Sequence, residues 1–276
     1  MVIIRAVVTV VVAGALAAGS VLSPSHKLIA LTFDDGPRSE VLVGGSTASA
    51  NLLGVLNRHG VLATFFFMGW RLADANSSDA HAAVEAWKRG HEIENHTYGH
   101  GAFKTMVERY GTAWVLEDID KASDAVFRLT GYWPLYVRPP DWSIWQDVRD
   151  AIEAEGYIVV TKSVNDIDEP VLLADVDTED YRIYQPGPLR AEDIATLHGM
   201  VLEKISRRER RSVFGHVLVF HELPLSIAAV DSLVPMLRER GYEFVTLAQY
   251  RAALKNDRLR TPSRYLADML RSSLWQ

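Results

Sequence analysis

Two adjacent carboxylates, Asp34 and Asp35, follow directly on the apolar run Leu28–Phe33, and two histidines four residues apart, His96 and His100, follow the β-rich run His91–Glu94. On a helical turn, imidazoles at that spacing share a face and can close on one ion. An isolated pair of this kind is a capping or surface pair at least as often as a metal site. A carboxylate pair at a second strand end shifts that balance, because two histidines and one aspartate make a three-ligand site with water in the remaining position. Two neighbouring carboxylates are both buried and charged only when one meets a cation and the other an arginine or water. One of Asp34 and Asp35 therefore suits a metal ligand and the other a base. The residue types alone do not say which.

The elements that must carry these groups read as strand then helix, repeated. Short β-rich runs lie at Leu28–Phe33, Val61–Phe67, His91–Glu94, Leu135–Val137, Tyr157–Thr161, His216–Phe220 and Tyr242–Thr246. The stretches between them have helical ends: a cap at Ser46 with a stop at Gly60, a cap at Asp79 with a stop at Gly90, and a long helix from Thr112 to Gly131. Val115, Ile119, Ala122, Val126 and Leu129 share one face of that long helix. Ser143 with Gln146 and, further on, Ser226 open two more helices. Strands separated by helices imply parallel neighbours, in either an open sheet or a closed barrel. No GxGxxG follows the first strand, which leaves a dinucleotide fold without support. Arg138 ends the fourth run, Asp166 and Asp168 follow the fifth and His221 closes the sixth. Every chemically capable residue thus falls at a C-terminal strand end, the rim where barrels and open α/β sheets build their sites. The acidic, proline-containing stretch from Asp168 to Arg190 is aperiodic. It reads as a long loop bordering that rim, with Asp175, Asp177, Glu179 and Asp180 as a solvated cluster.

Composition sets the outer limits. The 276 residues are 48% hydrophobic and 23% charged, enough for a sizeable core. The net charge of −6 and the lack of a basic stripe with interleaved aromatics argue against nucleic acid as a partner. Cysteine is absent, which removes disulfides, thiolate ligands and a Cys nucleophile together. Residues 2–22 form an apolar run behind Arg5, with a small-residue cleavage site at Ala15-Leu16-Ala17. This is the pattern of a signal peptide or signal anchor and predicts a secreted or extracytoplasmic protein, held at a membrane only if the segment stays uncleaved. Residues 23–255 are then the working domain and 256–276 a C-terminal tail.

Leu31-Thr32-Phe33-Asp34-Asp35-Gly36-Pro37, Asn95-His96-Thr97-Tyr98-Gly99-His100, Arg138-Pro139-Pro140 and the strand ending in His221 resemble, in order, the motifs of the NodB-homology polysaccharide deacetylases. Ala63-Thr64-Phe65-Phe66 and Gly241-Tyr242-Glu243-Phe244-Val245-Thr246-Leu247 support the match, which covers about residues 28 to 250. The resemblance implies a distorted (β/α)7 barrel of parallel strands. It also implies one divalent ion, usually zinc with cobalt, nickel or manganese as alternatives, on Asp35, His96 and His100. Asp34 would be the general base, oriented by Arg138, and His221 the general acid. The implied substrate is an acetylated polysaccharide, N-acetylated by preference. An O-acetyl esterase on xylan and a non-catalytic glycan-binding relative are the alternatives, the latter disfavoured because all five of those groups are present.

The chain departs from the family pattern in three places, the mildest being Val219, where leucine usually stands two places before the histidine. Asp141-Trp142 follow Arg138-Pro139-Pro140 where a small or aromatic residue and then glycine are usual. The Asp-Trp expected after the fifth strand has its best counterpart at Asp168-Glu169, so Asp168 or Asp166 is expected to tune His221. Trp142, Tyr98 and Pro139 are expected to touch substrate. Trp70 could also stack on a sugar, and Trp145 reads as core.

Overall fold

The computed structural model describes residues 27–44, 51–162, 176–211 and 213–255. Eight strands form one all-parallel sheet: β1 (Lys27–Gly36), β2 (Thr64–Phe67), β3 (Glu92–Asn95), β4 (Tyr136–Val137), β5 (Ile158–Val159), β6 (Val176–Asp177), β7 (Gly215–His221) and β8 (Tyr242–Val245). The spatial order is β5-β4-β3-β2-β1-β7-β6. Strand β8 pairs with the first half of β1, at Lys27–Ala30, and β2 with its second half. Among the described residues no pairing joins β5 to β6, so the sheet is a half-barrel rather than a closed one. The seven strands read from the sequence are all present. The eighth, β6, lies inside the stretch expected to be a loop.

The crossovers are α1 (Leu52–Arg58), α2 (Ser78–Lys88), α3 (Phe103–Tyr110), α4 (Thr112–Thr130), α5 (Gln146–Ala154), α6 (Asp180–Ile183), α7 (Ala191–Glu209), α8 (Pro224–Glu239) and α9 (Leu247–Lys255). Helix α4 buries Val115, Ile119, Ala122 and Val126, and Gly131 ends it in a left-handed turn that a side chain would strain. The starts of other helices differ from expectation. Asn51 caps α1, while Ser46 lies outside the described residues. Ser77 caps α2, leaving Asp79 to bind Arg71 and the Ser39 amide. Trp145 stands at the cap of α5 in place of Ser143, and Pro224 opens α8 ahead of Ser226.

Side-chain alternation along the strands decides what faces the site. Ile29, Leu31 and Phe33 of β1, Phe65 and Phe67 of β2, and Leu218 and Phe220 of β7 pack outward against the helices. Leu28 and Ala30 of β1, Phe66 of β2, and Val217 and Val219 of β7 fill the concave inside, capped by Leu247 and Tyr250 of α9. By the same alternation Thr32, Asp34 and His221 continue the inner face toward the rim. The β1–β7 register sets Asp34 directly opposite His221. Buried Glu94 locks the approach to β4 by accepting from the Tyr132 hydroxyl and the Leu135 and Tyr136 amides. No helix of the described residues is long and apolar enough to cross a membrane. The 1–22 segment and the 256–276 tail lie outside the described residues.

Candidate active site

Asp34 ends the inner face of β1 and is almost fully buried. Arg138, which follows β4, donates from Nη1 to Asp34 Oδ1 at 2.5 Å and to Thr32 Oγ1 at 2.9 Å. Thr32 in turn donates its hydroxyl hydrogen bond to the Leu218 carbonyl. The Arg138 guanidinium lies 3.9 Å from the centre of the Phe66 ring, so a wholly buried cation rests on an aromatic face beside its counter-ion. That pairing is what makes a buried Asp34 carboxylate tolerable.

Asp35 breaks the alternation. Its backbone is left-handed, with φ of 68°, and its carboxylate turns to the far side of the rim. There Oδ1 lies 3.2 Å from His96 Nε2 and 3.0 Å from His100 Nε2. The two histidines converge through a tight loop rather than a helical turn. Thr97 and His100 both have positive φ, Asn95 accepts the Thr97 amide, and Thr97 Oγ1 accepts the His100 amide. Asp118 of α4 holds the Tyr98 amide at 2.9 Å. Positive φ at Asp35, Thr97 and His100 concentrates backbone strain at the rim, as functional sites do.

These three side chains fit a cation. The Arg138 carbonyl lies 2.9 Å from His96 Nδ1 and can only accept, so Nδ1 carries a proton and Nε2 is the nitrogen turned toward an ion. Asp35 Oδ1 is buried and unpaired by any well-formed hydrogen bond. One ligand atom from each of the three residues lies within 4.8 Å of the others. Burial raises the proton affinity of Asp35, but the His100 and His96 imidazoles beside it outweigh this and hold the carboxyl well below the usual range. His100 is raised in turn, mainly by the Asp35 carboxylate next to it. A divalent ion satisfies all three groups at once, which a shared proton does not.

His221 closes the constellation, with Nε2 at 4.0 Å from Asp35 Oδ2. Its partner is Asp180, in the segment read as a solvated loop. Asp180 is fully buried. It accepts from His221 Nδ1 at 2.6 Å and Tyr181 N at 3.0 Å on Oδ1, and from His221 N at 2.8 Å and Ser226 Oγ at 2.5 Å on Oδ2. Burial pulls the imidazolium down, yet the Asp180 bond and the charges of Asp180, Asp34 and Asp35 carry His221 up to about 9. Asp166 and Asp168, expected in this role, lie outside the described residues. Asp177 is buried as well, paired with Lys162 on the inner face. Helix α6 brings Asp180 in because β6 hydrogen-bonds to β7 and delivers the chain to His221. The one sequence signal for it was an aspartate run whose pattern did not separate a buried ligand from a solvated one.

Among the expected substrate contacts, the Trp142 ring is half-buried, with the ammonium of Lys162 4.9 Å and the guanidinium of Arg138 5.5 Å from its centre. Tyr98 packs under the Lys121 ammonium at 3.8 Å and close to Gly69. Pro139 is buried and accepts the Trp142 amide. Trp145, read as core, is only partly buried and packs against the edge of the cluster of α3, α4 and α5. Glu222, unremarked in the sequence, is fully buried behind the rim, where it accepts the Arg38 amide at 2.6 Å.

The family model for polysaccharide deacetylases matches residues 22–160. Peptidoglycan-N-acetylglucosamine deacetylase PgdA of Listeria monocytogenes is 30% identical over 225 residues, which are 81% of this chain and 38% of that protein. The chain therefore spans well under half the length of that relative. A variant of peptidoglycan deacetylase PdaC from Bacillus subtilis superposes with a TM-score of 0.62 at 25% identity, covering 92% of this chain and all of that one. A family 4 acetyl xylan esterase from Clostridium thermocellum, solved with a cobalt ion, shares the fold at a TM-score of 0.59 and 24% identity, over 82% of this chain and 91% of its own. With the ordered motifs on one rim and the family model matching half of its length, the chain belongs to the polysaccharide deacetylase family.

Proposed function

We propose that this protein is an extracytoplasmic, metal-dependent deacetylase that releases acetate from an N-acetylated polysaccharide, with zinc as the ion. One observation carries the reading. Asp35, His96 and His100 converge on one point, with the Arg138-bound Asp34 on one side and the Asp180-bound His221 on the other. The ion, when bound, supplies the positive charge that polarises an acetyl carbonyl and acidifies water. Asp34 is the base: Arg138 occupies its Oδ1, leaving the second oxygen to take a proton from the attacking water. His221 is the acid: Asp180 fixes its Nδ1–H, so Nε2 holds the proton delivered to the leaving group. Arg138 orients Asp34, and Trp142 with Pro139 forms the wall on that side.

Preference for N-acetyl groups rests on the leaving group. An amide nitrogen departs only once protonated, and a histidine braced by a buried carboxylate is built for that step. The relative named for peptidoglycan N-acetylglucosamine points the same way. O-acetyl hydrolysis is the second reading, favoured by the esterase that shares the fold. The test is acetate release by zinc-loaded protein from peptidoglycan, N-acetylglucosamine oligomers and acetylated xylan. The expected result is highest kcat/KM on an N-acetylated glycan. Highest kcat/KM on acetylated xylan would promote the second reading, and no release from any of them would end the first.

A further inference from the structure

Helix α4 carries none of the groups that do chemistry, yet it grips the loop that carries His96 and His100. At the entry to that loop, Asn95 Nδ2 donates to the Ile119 carbonyl and to Ser123 Oγ, both at 2.8 Å. Between the two histidines, Asp118 Oδ2 accepts the Tyr98 amide at 2.9 Å and the Gly99 amide at 3.3 Å. From the other side the turn after β2 closes on the same loop, the Gly69 amide donating to the Thr97 carbonyl at 2.9 Å and Trp70 to Tyr98 at 3.1 Å. The turn and α4 leave no space around the loop: a Cβ at Gly69 would lie 2.6 Å from Ala122 Cα and 2.8 Å from Tyr98 Cδ2. The carbonyls of Thr97 and Tyr98 are thus taken by the turn, and the amides of Tyr98 and Gly99 by Asp118.

Asp118 is 8% exposed, and taking a carboxylate out of water costs free energy that its partners must return. The partners here are two amides lying between Thr97 and His100, whose φ values of 67° and 57° are ones that residues with side chains disfavour. A loop free to relax would leave that conformation and carry the two imidazoles apart. An ion would then have to restore the strained turn before both Nε2 atoms faced it. We infer that Asp118 is a positioning residue for the ion. It holds the 97–100 turn in its strained form before metal arrives, and so sets how tightly Asp35, His96 and His100 bind it. It acts through the backbone between the two histidines. The inference rests on the reading of those three residues as a metal site.

The test is the zinc affinity of the metal-free protein, measured by competition with a chromophoric chelator. Asp118→Ala should weaken zinc binding about 10- to 100-fold, the size seen when a group that orients metal ligands is lost. Asp118→Asn, whose one oxygen can accept both amides as Oδ2 does, should recover most of that loss. Asp120→Ala, on the same helix, removes an acceptor of the Tyr157 hydroxyl. It should lower stability in urea titrations and leave zinc affinity unchanged. Hydrogen exchange followed by NMR in metal-free wild type should find the Tyr98 and Gly99 amides already protected, a result that needs no variant to fold. Zinc affinity of Asp118→Ala within about threefold of wild type overturns the inference. So does an equal loss in Asp120→Ala, an Asn variant no better than Ala, or Tyr98 and Gly99 amides that gain protection only when zinc is added. A wild type that binds no zinc refutes the proposed function and the inference with it. Zinc binding that depends on Asp118, without acetate release from any glycan, would leave the inference standing and refute the proposed function alone.

Discussion

Replacing Asp180 by asparagine isolates what the second half of the site contributes. Four donors converge on its two oxygens: His221 Nδ1 and the Tyr181 amide on one, the His221 amide and Ser226 Oγ on the other. Asparagine offers one acceptor oxygen and one NH2. If the NH2 replaces Oδ2 it faces the His221 amide, which has no way to turn. If it replaces Oδ1 it faces His221 Nδ1, which must then give up its proton and accept. The second arrangement deprotonates Nδ1, and the first keeps that bond but sets a donor against the His221 amide and removes the negative charge that supports the imidazolium. General-acid catalysis is commonly worth 10²–10⁴, so kcat on an N-acetylated oligomer should fall about 100- to 1,000-fold, with KM changed little. The discriminating assay compares that amide with 4-nitrophenyl acetate, whose phenolate leaves without a proton. The ester should lose about tenfold at most, since its leaving group bypasses general-acid catalysis. Metal content by elemental analysis should stay at the wild-type level, because Asp180 touches no ligand. Amide turnover within about threefold of wild type, under about 0.7 kcal/mol of barrier change, would refute this role for Asp180, as would amide and ester falling together.

Three further outcomes follow from the packing around the site. Arg138→Met strands a buried Asp34 carboxylate, at a cost of about 3–5 kcal/mol, so denaturant melts should show a clear loss of stability and kcat should fall while the backbone-held His96 still binds metal. A Cβ at Gly36 would lie 2.0 Å from Glu222 Oε1, so Gly36→Ala should damage both stability and turnover, and Glu222→Ala in the same chain should recover stability in a double-mutant cycle. His91 is buried and accepts the Ala63 amide at Nδ1; burial, then the Arg89 charge, lowers it to about 4 from 6.5. The unfolded chain therefore takes up this proton first, and stability falls as pH drops from about 6.5 to 4, by about 3 kcal/mol from this residue at 1.36 per pH unit. His91→Asn, which keeps an acceptor there, should flatten that part of the acid limb in urea titrations, and an unchanged limb would count against the assignment.

What the sequence revealed and what it hid divide along physical lines. Asp34, Arg138 and His221 were legible because strand alternation and strand ends are local properties, readable from Leu28–Phe33 and His216–Phe220 without the fold. Asp35, His96 and His100 were legible as a set, although the expected helical turn is a loop with left-handed residues, a conformation that Thr97 and His100 do not announce. The 168–190 stretch was misread, over its described residues from Val176 onward, for another reason. Strand β6 is two residues long, too short for any period, and its pairing with β7 is non-local. Only that pairing turns Asp180 from one of several loop acids into the buried partner of His221. Glu222 was invisible on a similar ground, since its full burial is one that its residue type disfavours.

The central claim is that Asp35, His96 and His100 hold the ion on which hydrolysis depends, and metal content measured alongside acetate release tests it most directly. Purified wild-type protein should bind one equivalent of zinc per chain, lose acetate release on chelation and regain it on adding zinc. His96→Ala and His100→Ala should bind far less and release none, because two ligands hold the ion poorly. Asp34→Asn should keep the metal and lose turnover. Undiminished acetate release from exhaustively chelated, metal-free protein would contradict the account, and an Asp34→Asn protein that empties the site while Asp35→Asn fills it would mean that the two carboxylates have exchanged roles.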